Sequence, residues 1–217
     1  MNKHPEFLLN KIKSPKDLKR LDLKELEQLA GEIRTLILEK DAAKGGHLGP
    51  DLGIVEATIA YHYVFDAPKD KIVWDVSHQT YPHKMLTGRA YAWLDSDKYE
   101  DVTPYSNPEE SPYDYFAIGH TSTSVALATG MARARDMLGE HENITALIGD
   151  GSLTGGLALE GFNNAADEKH NLIIVVNDNQ MSIDDNVGGV VTALKRLRES
   201  NGQTANNPFT AMGLDYK

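Results

Sequence analysis

The sequence predicts an α/β fold with a mainly parallel sheet sandwiched by helices. Three short segments rich in apolar and β-branched residues, at 71–76, 143–148 and 172–176, alternate with segments of helical pattern, which is typical of parallel α/β proteins. Polar residues follow each of these predicted strands directly. Because such sheets bind ligands beyond the carboxyl ends of their strands, the polar clusters are candidates for a functional site.

The N-terminal region, residues 1–45, is predicted to be helical. Ser14-Pro15 provides a favourable N-cap and first helical residue. A break near Asp22 predicts two helices, of which the second ends at Gly45-Gly46. An apolar pattern over 54–65 predicts a further helix.

The rest of the chain contains one long segment without a clear pattern. Residues 90–115 hold three prolines and many polar residues, so we expect a mobile surface excursion there. Residues 212–216 resemble the approach to a further strand. The predicted helices after residue 115 span 121–138, 155–168 and 190–200.

Composition excludes several classes of protein. The 217 residues include 22 Lys and Arg against 32 Asp and Glu, a formal net charge of −10, whereas a general nucleic-acid binder needs a basic face. There is no cysteine, which excludes disulfides and thiolate metal sites. No apolar run approaches the roughly 20 residues of a membrane span, and the first seven residues are polar and unlike a signal peptide. We therefore expect a cytoplasmic protein that binds neither nucleic acid nor membrane.

Two of the polar clusters carry oxygen ligands suited to a metal. Asp150 and Asn179 follow two predicted strands that we expect to be neighbours. Carboxylate and amide oxygens suit Mg²⁺, which usually completes its octahedron with water and ligand phosphates. Gly-Asp-Gly and Asn-Asp-Asn are also common turn sequences, but their occurrence together favours a site for a phosphorylated ligand.

The segment from Gly149 to Asn179 resembles the fingerprint of thiamine diphosphate-binding proteins. In that fingerprint, Gly-Asp-Gly is followed after a spacer by an asparagine pair, written here Asn177-Asp178-Asn179. The resemblance implies that Asp150, Asn179 and the backbone carbonyl of Met181 bind Mg²⁺. It also implies that Gly151 and Ser152 contact the diphosphate.

Further motifs resemble the 1-deoxy-D-xylulose-5-phosphate synthase family, in order and spacing, from about residue 7 to 197. They are Lys44–Gly49, Trp74–Gln79, Tyr81–Lys84, Leu86–Arg89, Gly119–Ser124 and Met181–Ile183. The resemblance implies a diphosphate-binding (PP-type) domain in which His78, Gly119, His120 and Thr121 border the cofactor. His47 and His78 would be catalytic residues that face the reacting centre, a role that imidazoles suit because they titrate near neutrality.

The family resemblance also implies an activity for a longer chain. The enzyme would condense pyruvate with glyceraldehyde 3-phosphate, with loss of CO2, and would be a homodimer. Its activating glutamate belongs to a pyrimidine-binding domain that residues 1–217 do not contain, and its C-terminal domain is absent as well. We therefore expect one diphosphate-binding domain that is inactive alone.

The sequence departs from the family pattern at several positions. Thr121 stands where the family usually has serine, and Gln180 where it usually has glutamate. The segment after Arg89 lacks much of the usual basic, glycine-containing sequence, so substrate specificity is open. Lys84 and Arg89 are either anion contacts or solvated charges, and His83 either belongs to the site or only packs.

Other functions are compatible with the same motifs. A transketolase-like subunit or paralogue would use ketose phosphates as donors. A non-catalytic binding or assembly module could keep the fold without the activity. A nucleotide-binding protein is disfavoured, because the sequence has neither a GxxxxGK[ST] loop nor a GxGxxG after a strand.

Overall fold

A computed structural model describes residues 2–167, 170–180 and 185–217 of the chain. The chain forms two compact units. The helical unit comprises Met1–Lys71 and Ser77–Gly119, and the sheet unit comprises Ile72–Val76 and His120–Lys217.

The helical unit is built around one long helix. Its helices are α1 (Pro15–Leu18), α2 (Leu23–Lys44), α3 (Leu48–Gly53), α4 (Val55–Val64), α5 (Tyr81–Lys84) and α6 (Tyr91–Leu94). The carboxylate of Asp22 caps α2 by accepting from the backbone N–H of Glu25 at 2.9 Å, and the Glu25 side chain returns the bond. Leu29, Ile33 and Leu36 recur on one face of α2 and are fully buried in the core of the unit.

The segment 90–115 is more closely packed than a surface excursion. Trp93, Leu94 and Val102 lie in the core of the helical unit, and the side chain of Asp114 is fully buried. The prediction missed this because the buried side chains follow neither a helical nor a strand period. The mobility of the segment stays a prediction.

The sheet unit contains three parallel strands in the order β1 (Lys71–Trp74), β2 (Ile144–Gly149) and β3 (Leu172–Asn177). In β2 and β3, Ile144 pairs with Leu172 and Gly149 with Asn177, so the two strands begin and end together. The helices of this unit are α7 (Ser124–Leu138), α8 (Asp150–Leu153), α9 (Gly156–Asp167), α10 (Gly189–Glu199) and α11 (Pro208–Ala211).

A buried arginine aligns the starts of these two strands. Arg135, near the end of α7, donates from Nη1 to the carbonyl oxygens of Glu142 at 2.9 Å and Asn171 at 2.7 Å. Those carbonyls stand just before β2 and β3 respectively. One guanidinium therefore fixes both strands to the same helix.

The α/β class with a parallel sheet is confirmed. The split helical region, the helix after 54 and all three strands occur within a few residues of their predicted bounds. Residues 212–216 follow α11 without regular secondary structure, and their role as the approach to a further strand stays a prediction. Across the described residues, no helix is both long and apolar enough to cross a membrane.

Replacing Gly161 by Ala should lower the free energy of unfolding by about 1–3 kcal/mol. A Cβ at Gly161 would lie 2.9 Å from the backbone nitrogen of Ala126 and 3.1 Å from Cβ of Val125, so α7 and α9 would have to separate. Chemical denaturation measures the change. The matched control is Gly130→Ala on α7, where a Cβ would meet nothing within 4 Å. This change should raise the free energy of unfolding by as much as about 1 kcal/mol, because alanine favours a helix more than glycine does. Equal effects at the two glycines would contradict the packing argument.

Candidate functional site

The ends of β2 and β3 place two carboxylates next to each other in the sheet unit. Because Gly149 pairs with Asn177, the next residues, Asp150 and Asp178, leave the sheet at the same level. Asp150 is buried, with an exposed fraction of 5%, and it is the first residue of α8. The expected proximity of the two polar clusters is thereby confirmed.

Asp150 is held by groups from three segments. Its carboxylate accepts from the backbone N–H groups of Gly151 and Gln180, and Oδ2 accepts from the amide of Asn186 at 3.2 Å. Burial raises the pKa of Asp150, the negative charge of Asp178 raises it further, and the N–H donors oppose the change. The charge at this strand end is therefore only partly compensated.

The turn after β2 carries the residues predicted to contact the diphosphate. Gly151 and Ser152 are half-buried in the first turn of α8. The carbonyl of Ser152 accepts from Oγ of Ser122 at 2.7 Å, which joins this turn to the loop before α7. A cavity of about 400 Å³ lies beside Asp150, and its lining includes Gln180, Asn186 and Arg198.

A third strand end, that of β1, holds the loop that carries His120 and Thr121. Asp75 is fully buried, and its two carboxylate oxygens accept from the backbone N–H groups of Ser122 at 2.8 Å and Ser124 at 2.9 Å. Ser122 has a φ of +72°, an unfavourable conformation that these bonds maintain. His120 and Thr121 are exposed on this loop, and Nδ1 of His120 donates to the Thr121 carbonyl at 2.8 Å.

Asp75→Asn should destabilise the chain by about 1–3 kcal/mol, since an amide can replace only one of the two acceptor oxygens. The other backbone N–H would then face an N–H group. Urea denaturation measures the loss, with the exposed Asp215→Asn of the same unit as the control. A stability equal to that of the control would show that the two bonds do not hold the loop.

The helical unit brings together the two histidines predicted to be catalytic. The ring centroids of His47 and His78 are 5.2 Å apart with the planes nearly perpendicular, and Tyr105 lies 6.0 Å from His47. Ser77, which precedes His78, has a φ of +65°. Its hydroxyl donates to the Ile118 carbonyl at 2.7 Å and accepts from the Ser106 N–H at 3.0 Å, so the turn before His78 is fixed. Gly119 is an exposed residue of the same unit.

Lys84 and Arg89 are not solvated charges, and the anions that they contact are carboxylates of the chain itself. Lys84 is fully buried and donates to Glu110 at 2.7 Å. Arg89 makes two 2.8 Å bonds to Asp114. His83 packs in this cluster, where Nε2 donates to Asp114 at 3.0 Å. These residues therefore hold the 90–115 segment, an explanation that the sequence alone does not suggest.

Three residues around the site were not predicted from the sequence. Asp75 follows a strand directly, as Asp150 does, and this pattern could have identified it. Asn186 and Arg198 give no such signal, because they contact the site from a segment after β3. Met181, the predicted carbonyl ligand, lies outside the described residues.

The donor set at Asp150 fits a divalent cation. Asp150 is buried beside a second carboxylate, and Oδ1 of Asp178 is buried without a hydrogen-bond partner among the described residues. Arg198 pairs with the other oxygen of Asp178, and a cation would offset the remaining negative charge of Asp150. No cluster of three His, Asp or Glu side chains that could bind a metal occurs in the described part of the chain. The predicted ligands do not require one, because they are one carboxylate, one amide and one backbone carbonyl.

Comparisons of the sequence with known proteins identify its family. The family model described as 1-deoxy-D-xylulose-5-phosphate synthase matches residues 9–211. A protein of that name from Dictyoglomus turgidum is 50% identical over 193 residues, which are 89% of this chain and 31% of the relative. The one from Symbiobacterium thermophilum is 50% identical over 190 residues, 88% of this chain and 29% of the relative.

A third relative of the same name, from Syntrophomonas wolfei, is 51% identical over 191 residues, again 88% of this chain and 30% of the relative. The chain thus spans about 30% of the length of these curated relatives. The family model covers nearly all of the sequence. The chain belongs to the 1-deoxy-D-xylulose-5-phosphate synthase family, of which it represents the N-terminal domain.

Proposed function

We propose that the chain is the domain of a 1-deoxy-D-xylulose-5-phosphate synthase that binds thiamine diphosphate and Mg²⁺. The observation that carries the proposal is the shared end of β2 and β3, where Asp150 meets the loop after Asn177. Asp150, Asn179 and the carbonyl of Met181 hold Mg²⁺ in this proposal. The diphosphate contacts lie in the turn after Asp150, at Gly151 and Ser152.

The proposed reaction condenses pyruvate with glyceraldehyde 3-phosphate and releases CO2, forming a precursor for isoprenoid, thiamine and pyridoxal synthesis. When bound, thiamine diphosphate supplies the electron sink that the decarboxylation needs. His78, Gly119, His120 and Thr121 border the cofactor. His47 and His78 hold or move protons through their ring nitrogens. We also propose that the whole enzyme is a cytoplasmic homodimer.

We propose further that the 217-residue chain does not catalyse the reaction alone. The support is its coverage of about 30% of each relative, together with the pyrimidine-binding domain that the family resemblance assigns to a later part of the chain. Turnover of pyruvate and glyceraldehyde 3-phosphate by the purified chain would contradict this. With a longer protein, a preference for ketose phosphates over pyruvate would favour the transketolase-like alternative.

A calorimetric titration with thiamine diphosphate tests the binding function. We expect saturable binding with Mg²⁺ present and little or none with EDTA, because the protein supplies only part of the metal's ligands and the diphosphate supplies others. Inorganic pyrophosphate is the control ligand, and it should compete. Binding that is equal with Mg²⁺ and EDTA would contradict a metal-bridged diphosphate.

A further inference from the structure

Arg198 forms an ion pair at the candidate metal site that the proposed chemistry does not use. Arg198 lies near the end of α10, and Nη1 donates to Oδ2 of Asp178. Both side chains are largely buried, with exposed fractions of 29% for Arg198 and 16% for Asp178. Ion pairs between exposed side chains contribute little to stability. Because this pair is partly buried, we expect it to have a structural role.

The loop that Asp178 begins is held in an unfavourable conformation. Gln180 has a φ of +60°, which non-glycine residues adopt mainly where their surroundings impose it. Its backbone N–H nevertheless donates to the carboxylate of Asp150. Asn179 lies between these two residues, so its position depends on what holds residue 178.

We propose that Arg198 is a positioning residue for Mg²⁺, an inference that rests on the proposed function. The guanidinium fixes Asp178, and Asp178 fixes the direction in which Asn179 and Gln180 leave β3. Arg198 and Asp150 also line the same cavity. The ion pair therefore keeps Asn179 in the position from which it can bind the same ion as Asp150.

Electrostatics alone predicts that removing the charge of Arg198 would increase the affinity for a metal. A positioning role of Arg198 predicts a decrease. Removing the guanidinium would leave the carboxylate of Asp178 uncompensated beside Asp150, and an added negative charge attracts a cation more strongly. A loss of metal affinity on removal of Arg198 therefore reports the position of the loop. A direct contact between Arg198 and the diphosphate would also reduce binding, but that effect would not depend on Asp178.

The test measures the affinity of the full 217-residue chain for Mn²⁺, a spectroscopic substitute for Mg²⁺, in the presence of thiamine diphosphate. We expect Arg198→Met to weaken Mn²⁺ binding by about 10–100-fold, as the loss of a residue that orients a metal ligand does. Arg198→Lys should restore part of the affinity. Arg196→Met, an exposed change on the same helix, should leave it unaltered. The urea midpoint of each metal-free variant should stay close to that of the unmodified chain.

The variant Asp178→Asn distinguishes a positioning role of Arg198 from a direct contact with the diphosphate. If the pair acts as one unit, Asp178→Asn, Arg198→Met and the double variant should lose similar affinity. An Arg198→Met variant with unchanged or increased Mn²⁺ affinity would overturn the inference. So would a full additional loss from Arg198→Met in the Asp178→Asn background, which would indicate direct contact with the diphosphate. If the unmodified chain binds no Mn²⁺ with thiamine diphosphate, the proposed function fails and the inference falls with it.

Discussion

Asp114→Ala should lower the free energy of unfolding by about 3–5 kcal/mol, the usual cost of removing one partner of a buried ion pair. Both oxygens of Asp114 accept from Arg89 at 2.8 Å, Oδ1 also accepts from His83 at 3.0 Å, and Oδ2 from the backbone N–H of Asn107 at 2.9 Å. Without the carboxylate, the guanidinium of Arg89 stays buried, and Glu110 is its one remaining charged partner among the described residues. The 90–115 segment would lose the bonds that Asp114 makes to Arg89 and His83.

The effect of Asp114→Ala should also be independent of pH near neutrality. Burial alone would raise the pKa of Asp114, but the hydrogen bonds from Arg89 and His83 outweigh it and hold the pKa well below its usual range. A lowered folded-state pKa contributes stability that is fully present above the unfolded value and lost only in acid. The difference from the unmodified chain should therefore be constant above about pH 5.

Urea denaturation at several pH values measures the loss of unfolding free energy in Asp114→Ala and its dependence on pH. Asp101→Ala, at an exposed position of the same unit, is the control and should change stability by less than about 0.5 kcal/mol. A loss at Asp114 no larger than that of the control would contradict the buried network. A loss that disappears between pH 8 and pH 6, values chosen about neutrality, would contradict the assigned charge state.

Asp150→Asn should weaken Mg²⁺-dependent binding of thiamine diphosphate by about 100-fold or more, because losing a group that only supports a metal ligand already costs 10–100-fold. The amide keeps the shape of the side chain but removes its charge. Asp178 would then be the only carboxylate of this pair. The metal-free variant should change little in stability, since the loss of an acceptor oxygen is offset by the removal of a buried charge beside another of the same sign.

Calorimetry with Mg²⁺ present measures the loss at Asp150, and denaturation measures stability. The matched control is Asp167→Asn, an exposed change at the end of α9 in the same unit. It should bind normally. Full binding by Asp150→Asn would place the metal elsewhere in the protein.

The strand ends could be predicted from the sequence because their signals are local. An apolar run of five or six residues followed by Gly-Asp-Gly or Asn-Asp-Asn indicates a strand and a polar turn within one short segment. If the two strands are parallel neighbours, their carboxyl ends meet at one edge of the sheet, so Asp150 and Asp178 are expected to lie close together. The register of Gly149 with Asn177 agrees with this reasoning.

The buried cluster could not be predicted, since its partners are distant in sequence and follow no period. Lys84 and Arg89 appear as ordinary surface charges until Glu110 and Asp114 fold against them. The pairing of Arg198 with Asp178 depends in the same way on how α10 packs. Ion pairs of this kind are set by tertiary structure, whereas the polar turns are set by the strands that precede them.

The most direct test of the central claim, that a metal and a diphosphate bind at the ends of β2 and β3, is to locate a paramagnetic ion. Mn²⁺ would be added with thiamine diphosphate to the isotopically labelled chain, and the broadening of backbone amide resonances would be mapped. We expect the strongest broadening at Asp150, Gly151 and Asn179 and little at Asp114. Broadening confined to other acidic surfaces, with sharp resonances at the two strand ends, would contradict the account.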